Sequence, residues 1–411
     1  MSRNQLDIEA AKIAVPDRGE RITSMEPMLI SESSRHRAEL GDLVVELAAA
    51  AAGFRRALPG GIHSALAALV RSMNCYYSNL IEGHDTHPVD IERALQQDYS
   101  ADPHKRDLQI EARAHIEVQS WIDAGGLIGR AATTAGICEI HEQFCRLLPE
   151  DLLYVENPDT KKRLPVVPGA LRTRDVRVGQ HIAISPGSLP RFLTRFEEAY
   201  NGRGRTEQIL CAAAAHHRLL WIHPFVDGNG RVARLMSNAM LLESLDPGGI
   251  WSVARGLART ENAYKGHLAS CDLVRRNDLD GRGARSEEAL AAFTKYFLET
   301  CLDQIRFMES LVQPDRLRAR ILTWAAEETR LSDLPPKSGA VLEAILYRGE
   351  LPRGEVPYLL GYKERQARRV VAALTARNVV VSDSSRAPLR LNFAAEFVSR
   401  WMPGLFPERE S

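Results

Sequence analysis

The chain has 411 residues, with 53 Lys and Arg balancing 53 Asp and Glu, and it is 45% hydrophobic and 26% charged. That length exceeds the ~250–300 residues at which a single hydrophobic core stops growing, so more than one domain is expected. The composition excludes disordered, collagen-like and membrane-embedded chains, and zero net charge argues against a chain devoted throughout to nucleic acid, although a local basic face is compatible with it.

Residues 1–33 are polar and without sustained periodicity, which predicts a loose tail, and they contain no apolar signal-peptide core. No stretch approaches the ~18 apolar residues of a membrane span. The six cysteines (Cys75, Cys138, Cys145, Cys211, Cys271, Cys301) lack CxxC spacing, so reduced thiols and a cytoplasmic location are expected. From residue 34 the pattern is helical: Leu40, Leu43, Val44, Leu47 and Ala51 share one face, and Pro59-Gly60-Gly61 ends that helix. A second helix carries Leu66, Leu69, Met73, Tyr77, Leu80 and Ile81 and stops near Gly83; a third covers 110–124. Residues 161–190, with Leu171, Val176, Val178, Ile182 and Ile184 among glycines and prolines, predict a short hairpin.

Two helices, 207–222 and 229–245, then flank the turn HPFVDG. A long amphipathic helix covers 287–312, and 331–336 reads as a linker. Three helices (339–347, 355–360, 364–377) and a strand-turn-strand over 379–393 follow, the pattern of a winged helix. The expected fold is mainly α. Its parts are a tail (1–33), an N-terminal helical segment (34–130), a core with a hairpin (131–300), a connecting helix and linker (301–336) and a winged-helix-like module (337–411).

Residues 223–234 read His-Pro-Phe-Val-Asp-Gly-Asn-Gly-Arg-Val-Ala-Arg. Pro224 cannot continue the preceding helix, so His223 is held at its last turn. The next helix begins near Asn229, where the backbone N–H groups of Gly228, Asn229, Gly230 and Arg231 lack helical acceptors and face outward with the positive end of the dipole: an anion site suited to phosphates. Arg231 and Arg234, three residues apart, can clamp those phosphates. Asp227 offers one carboxylate for Mg²⁺, and His223 is a general base with an ordinary pKa near ~6.5. Phe225 is expected to anchor the loop in the core. His216 and His217 read as packing or surface histidines.

These residues resemble the HxFx(D/E)GNGRxxR signature of the Fic family. The resemblance implies a Fic-type helical core and an AMP transferase: ATP and Mg²⁺ bind, and a Ser, Thr or Tyr hydroxyl of a target protein attacks the α-phosphate. It makes His223 the base, Asp227 the Mg²⁺ ligand, Asn229 and Arg231 phosphate contacts and Arg234 the γ-phosphate partner. Relatives that transfer a phosphoryl group usually carry Lys in place of the second glycine, so Gly230 favours nucleotidyl transfer.

Ser78-Asn79-Leu80-Ile81-Glu82-Gly83 is similar to the family's inhibitory (S/T)xxxE(G/N) motif, in which Glu82 would pair with Arg234 and misplace ATP. The hairpin resembles the family's flap, with Gly169, Leu171, Arg172 and Val178-Gly179-Gln180-His181 as its recognisable positions, where an extended target segment would pair. Asn262 and Tyr264 resemble the stretch lining the adenine pocket, although Lys265 follows where relatives often have a second tyrosine, and packing of Tyr264 in the core is an equal reading. Glu82 could instead activate water to remove AMP.

A different class of function comes from the C-terminal module. Residues 353–390 hold eight basic side chains (Arg353, Lys363, Arg365, Arg368, Arg369, Arg377, Arg386, Arg390) against three acids. Lys363, Arg365, Arg368 and Arg369 crowd the helix where a DNA reader places its groove contacts, which would make the chain a DNA-binding regulator with a nucleotide-sensing domain. A second copy of the chain, as in a homo-oligomer, is a further partner the sequence admits.

Overall fold

The computed structural model describes residues 15–156, 161–179, 181–245 and 248–406, and the expected mainly α-helical architecture is what they adopt. The N-terminal segment forms α1 (Arg37–Arg56), α2 (Gly60–Ile81), α3 (Pro88–Leu95) and α4 (Pro103–Asp123). After α5 (Thr134–Arg146) come two antiparallel hairpins, β1 (Tyr154–Glu156) with β2 (Arg163–Pro165) and β3 (Arg177–Val178) with β4 (His181–Ile182). The helices α6 (Leu189–Tyr200), α7 (Arg205–Ile222), α8 (Asn229–Leu245), α9 (Ala254–Arg259), α10 (Glu261–Cys271) and α11 (Glu287–Val312) follow. The C-terminal part contains α12 (Pro314–Arg330), α13 (Ser338–Arg348), β5 (Glu350–Leu351), α14 (Val356–Leu360), α15 (Glu364–Ala376), β6 (Val380–Val381), β7 (Leu389–Leu391) and α16 (Ala395–Trp401). Its three strands form an antiparallel sheet in the order β5-β7-β6.

The helical hairpin of α7 and α8 forms the centre, surrounded by α1, α4, α5, α6 and α11. Ala212 to Ala215 are all buried, and small side chains on every face allow α7 to be enclosed by neighbours. Helix starts are set by local chemistry: Asp102 accepts from the N–H groups of His104 and Lys105, Thr133 from Gly136 and Ser286 from Ala289. Pro59-Gly60-Gly61 does more than end α1. Pro59 is the N-cap of α2, and Gly61 lies so close to Gly349 that a Cβ there would meet its carbonyl oxygen at 1.9 Å.

The loose tail expected over 1–33 is corrected within its described part. Met25, Met28 and Ile30 are buried, Arg218 donates to Pro27 O (2.9 Å) and Tyr200 Oη to Met28 O (2.7 Å). An irregular strap buries its side chains without a period, so periodicity could not reveal it. Residues 1–14 lie outside the described residues.

The C-terminal part packs on the N-terminal segment. Tyr77 Oη donates to Leu405 O (2.9 Å), its ring stacks with Phe406, and Glu92 on α3 accepts from Ala395 N (2.7 Å) and Asn378 Nδ2 (2.8 Å). Trp401 is fully buried against Trp324 and Phe397. Among the described residues no helix is long and apolar enough to cross a membrane. Trp401→Ala removes the largest side chain of α16 and is expected to cost about 3–5 kcal/mol in chemical denaturation; an unchanged midpoint would show that α16 contributes nothing to the core.

Candidate active site

The centre of the site is the turn between α7 and α8. His223 ends α7 in the left-handed conformation (φ 52°, ψ 64°), a strained state for a residue with a Cβ. Arg172 holds it there. Its buried guanidinium donates to His223 O (2.7 Å), Ile184 O (2.5 Å) and Arg174 O (2.8 Å), while its backbone N–H donates to Pro224 O (2.9 Å). A cation at a helix C-terminus also offsets the negative end of the dipole. The His223 Nδ1–H points at Leu220 O (3.3 Å), which leaves the Nε2 lone pair as the basic one. Burial pulls the imidazole down to about 4, so the ring is neutral at pH 7.

Phe225 is fully buried and stacks face to face on His141 at 4.0 Å, as the anchoring role requires. Nδ1 of His141 accepts from Gly169 N (2.9 Å), which ties the root of the flap to α5; Gly169 itself adopts φ 71°. Asn229 departs from its expected role. Its Oδ1 accepts from Phe225 N and its Nδ2 donates to Phe225 O, both at 3.0 Å, so the side chain closes the turn. What Asn229 can offer a phosphate is its backbone N–H, alongside those of Gly228, Gly230 and Arg231 at the start of α8. Gly228 sits at φ 77°, where a side chain would be strained.

Glu82 stands beside this helix start. It caps α2, and Gly83 (φ 85°) turns the chain away immediately after it. Its Oε1 lies over Gly230, where a Cβ would stand 2.3 Å away, and it pairs with Arg234 Nη2. Arg234 also donates from Nε to Ser78 Oγ (2.8 Å) and from Nη2 to Ser78 O (3.2 Å). Ser78 and Glu82 thus act from one face of α2, as their spacing predicts. Burial alone would raise the Glu82 carboxyl, but the charge and hydrogen bond of Arg234 outweigh it and hold the group below its ordinary value.

Arg231 has partners that the motif did not suggest: its Nη2 lies 3.0 Å from Glu111 Oε2 and 3.2 Å from His84 Nδ1. The Asp227 carboxylate is exposed and makes no hydrogen bond or ion pair among the described residues, although its charge acts on His141. Among those residues there is no group of three His, Cys, Asp or Glu side chains able to hold a metal ion. A lone free carboxylate beside a phosphate site fits Mg²⁺, which keeps water and phosphate ligands, and does not fit a fully protein-caged metal.

The flap is short. Val178 pairs with His181 across Gly179 (φ 59°), with Val178 and Ile182 exposed; Gln180 lies outside the described residues. His181 Nε2 meets Trp221 O at 2.8 Å and so anchors the hairpin to the end of α7. Tyr264 is corrected: it is only 2% exposed, and its hydroxyl meets His216 Nε2 at 2.6 Å on the inner face of α10, so it belongs to the core. Asn262 is exposed on the same helix. His216 also bonds Ser237 Oγ (2.9 Å) and His217 bonds Asp272 Oδ1 (3.0 Å), both as packed histidines.

Comparison with known proteins agrees with this geometry. Residues 131–241 match the Fic/DOC family model. The protein adenylyltransferase Fic of Drosophila willistoni is 28% identical over 225 residues, covering 52% of this chain and 42% of that protein. The Drosophila melanogaster protein of the same name is 42% identical over 82 residues, 20% of this chain and 17% of that protein. The chain therefore spans less than half the length of the curated relatives it matches. A crystal structure of a Fic family protein from Desulfovibrio desulfuricans G20 superposes with a TM-score of 0.51 at 15% identity, over 89% of this chain and 98% of that one, which shows a shared fold.

The burial of His223 has a direct consequence in solution. Following its imidazole proton by NMR should give a titration midpoint near 4, with no charge change between pH 6 and 8; a midpoint near ~6.5 would mean that the ring is solvated.

Proposed function

We propose that this chain, whose residues 131–241 match the Fic/DOC family model, is a protein adenylyltransferase acting on a Ser, Thr or Tyr hydroxyl of a target protein. The observation that carries this reading is the convergence, on one turn, of a neutral imidazole with a free Nε2, a row of unpaired N–H groups, two arginines and a free carboxylate. ATP phosphates would lie along the start of α8, against Arg231 and Arg234. His223 Nε2 takes the proton of the target hydroxyl as its oxygen bonds to the α-phosphorus. The bond to the β-phosphate breaks and pyrophosphate leaves, so atoms and charge balance. Asp227 would hold Mg²⁺, whose contribution when bound is to offset phosphate charge. The exposed hairpin of β3 and β4 would pair with an extended target segment and so position its hydroxyl. The six unpaired thiols fit the reducing cytoplasm.

The same reading makes Glu82 an inhibitor. While it holds Arg234, the γ-phosphate lacks its cation and the carboxylate repels it across Gly230. Glu82→Gly should raise AMP incorporation from α-labelled ATP by about tenfold or more, equivalent to at least ~1.4 kcal/mol of competing interaction. Adding His223→Ala should lower it by about 10²–10⁴. An unchanged rate in Glu82→Gly contradicts autoinhibition, label from the γ position contradicts AMP transfer, and loss of AMP from a modified target that needs both Glu82 and His223 assigns removal of AMP instead.

A second reading rests on the solvent face of α15. Lys363, Arg365 and Arg369, with Arg386 on the turn between β6 and β7, are exposed and have no partner among the described residues. Arg368 is shared with Glu364, whereas Arg377 pairs with Glu328 and Arg390 with Asp383, so only part of the basic surplus is available. We propose that this face of a winged-helix-like module contacts duplex DNA. Binding should weaken with salt, and neutralising Arg365 and Arg369 together should reduce the slope of log K against log salt by about 2. No binding at low salt would assign the face to protein contacts.

A further inference from the structure

The two arginines of the phosphate clamp are held by different helices and in different ways. Arg234 is bonded through Nε and Nη2 to α2. Arg231, one turn earlier on α8, is bonded through Nη2 alone, to Glu111 of α4. Its Nε is buried without a partner, and its Nη1 has none among the described residues. The Phe144 ring, 5.0 Å from the guanidinium carbon, flanks it.

Glu111 is itself fixed. His84 Nδ1 lies 2.8 Å from the same Oε2 that contacts Arg231; a ring nitrogen cannot donate to Glu111 and accept from Arg231 together, so Nδ1–H donates to the carboxylate. His84 stands directly after Gly83, where the chain leaves α2, and its N–H donates to Asn79 O (2.9 Å). The side chains of Arg231 and Glu111 are 8% and 14% exposed, so the guanidinium could not stay in place without a counter-charge. Glu82 differs: at 33% exposed it covers Gly230 at the mouth of the anion site, where a phosphate must displace it. Glu111 meets only the far end of the Arg231 side chain, at Nη2.

We propose that Glu111, steadied by His84, is a positioning residue that holds the Arg231 guanidinium in place to receive a nucleotide phosphate, which rests on the adenylyltransferase reading above. The two carboxylates have opposite roles: Glu82 competes with the nucleotide, and Glu111 prepares the site for it.

The test is a calorimetric titration of the full chain carrying Glu82→Gly, with ATP and Mg²⁺ and separately with adenosine, which has no phosphate. Adding Glu111→Gln should weaken ATP about tenfold and leave adenosine unchanged, with His84→Ala acting in the same direction to a smaller extent. Glu111→Asp, which keeps the charge, should retain more ATP affinity than Glu111→Gln and guards against loss of folding as the explanation. ATP affinity that is unchanged or tighter in Glu111→Gln overturns the proposal, as does a parallel loss for ATP and adenosine. Arg231→Ala separates the two levels. If it weakens ATP and Glu111→Gln does not, the positioning role alone fails; if the Glu82→Gly chain binds no ATP, the adenylyltransferase reading fails and this inference falls with it.

Discussion

Arg234 carries a permanent charge at a position only 4% exposed, and the site is organised around keeping that charge paired. Ser78 supplies two oxygens and Glu82 the counter-ion, all from the last turns of α2. A phosphate reaching Arg234 must replace the carboxylate, because both require the space over Gly230. Gly230 permits that close approach, since any Cβ would collide with Glu82. Under the proposed function, nucleotide affinity and restraint of the enzyme both depend on the same guanidinium.

The position of α2 is set far from the nucleotide. Its first turn is pressed on Gly349 through Gly61, and near its end Tyr77 is bonded to Leu405 and stacked on Phe406. A helix fixed at both ends does not swing away as a body without breaking these contacts. Freeing Arg234 is cheaper through Glu82 itself, which lies beyond the last residue of α2 and is followed by a glycine in the left-handed region. The C-terminal part thereby sets how firmly the Glu82 carboxylate is presented to Arg234.

How much of this was legible in sequence depended on how local the chemistry is. The turn from His223 to Arg234 was legible because its functional groups lie within one helix end, one loop and one helix start. Ser78 and Glu82 were legible as a pair because four residues make one helical turn. The task of the Asn229 side chain was not legible, since one that closes its own turn looks the same in sequence as one that binds phosphate. Tyr264 faces inward because His216 lies opposite, a partner 48 residues away that no pattern announces. Glu111 and His84 were missed as site supports, and Arg172 was legible only as a flap position, for the same reason: each acts through tertiary packing. The buried strap around Met25 and Met28 was missed because irregular backbone has no period to detect.

Under the proposed function, Glu82 and the γ-phosphate compete for Arg234. Crystal structures of the unaltered chain and of its Glu82→Gly form, each soaked with ATP and Mg²⁺, test it most directly. In the unaltered chain Arg234 should stay on Glu82 with the γ-phosphate turned away; in Glu82→Gly the same guanidinium should hold the γ-phosphate, with the α-phosphate facing Nε2 of His223. An identical triphosphate pose in both, with Arg234 on the phosphate each time, would contradict it.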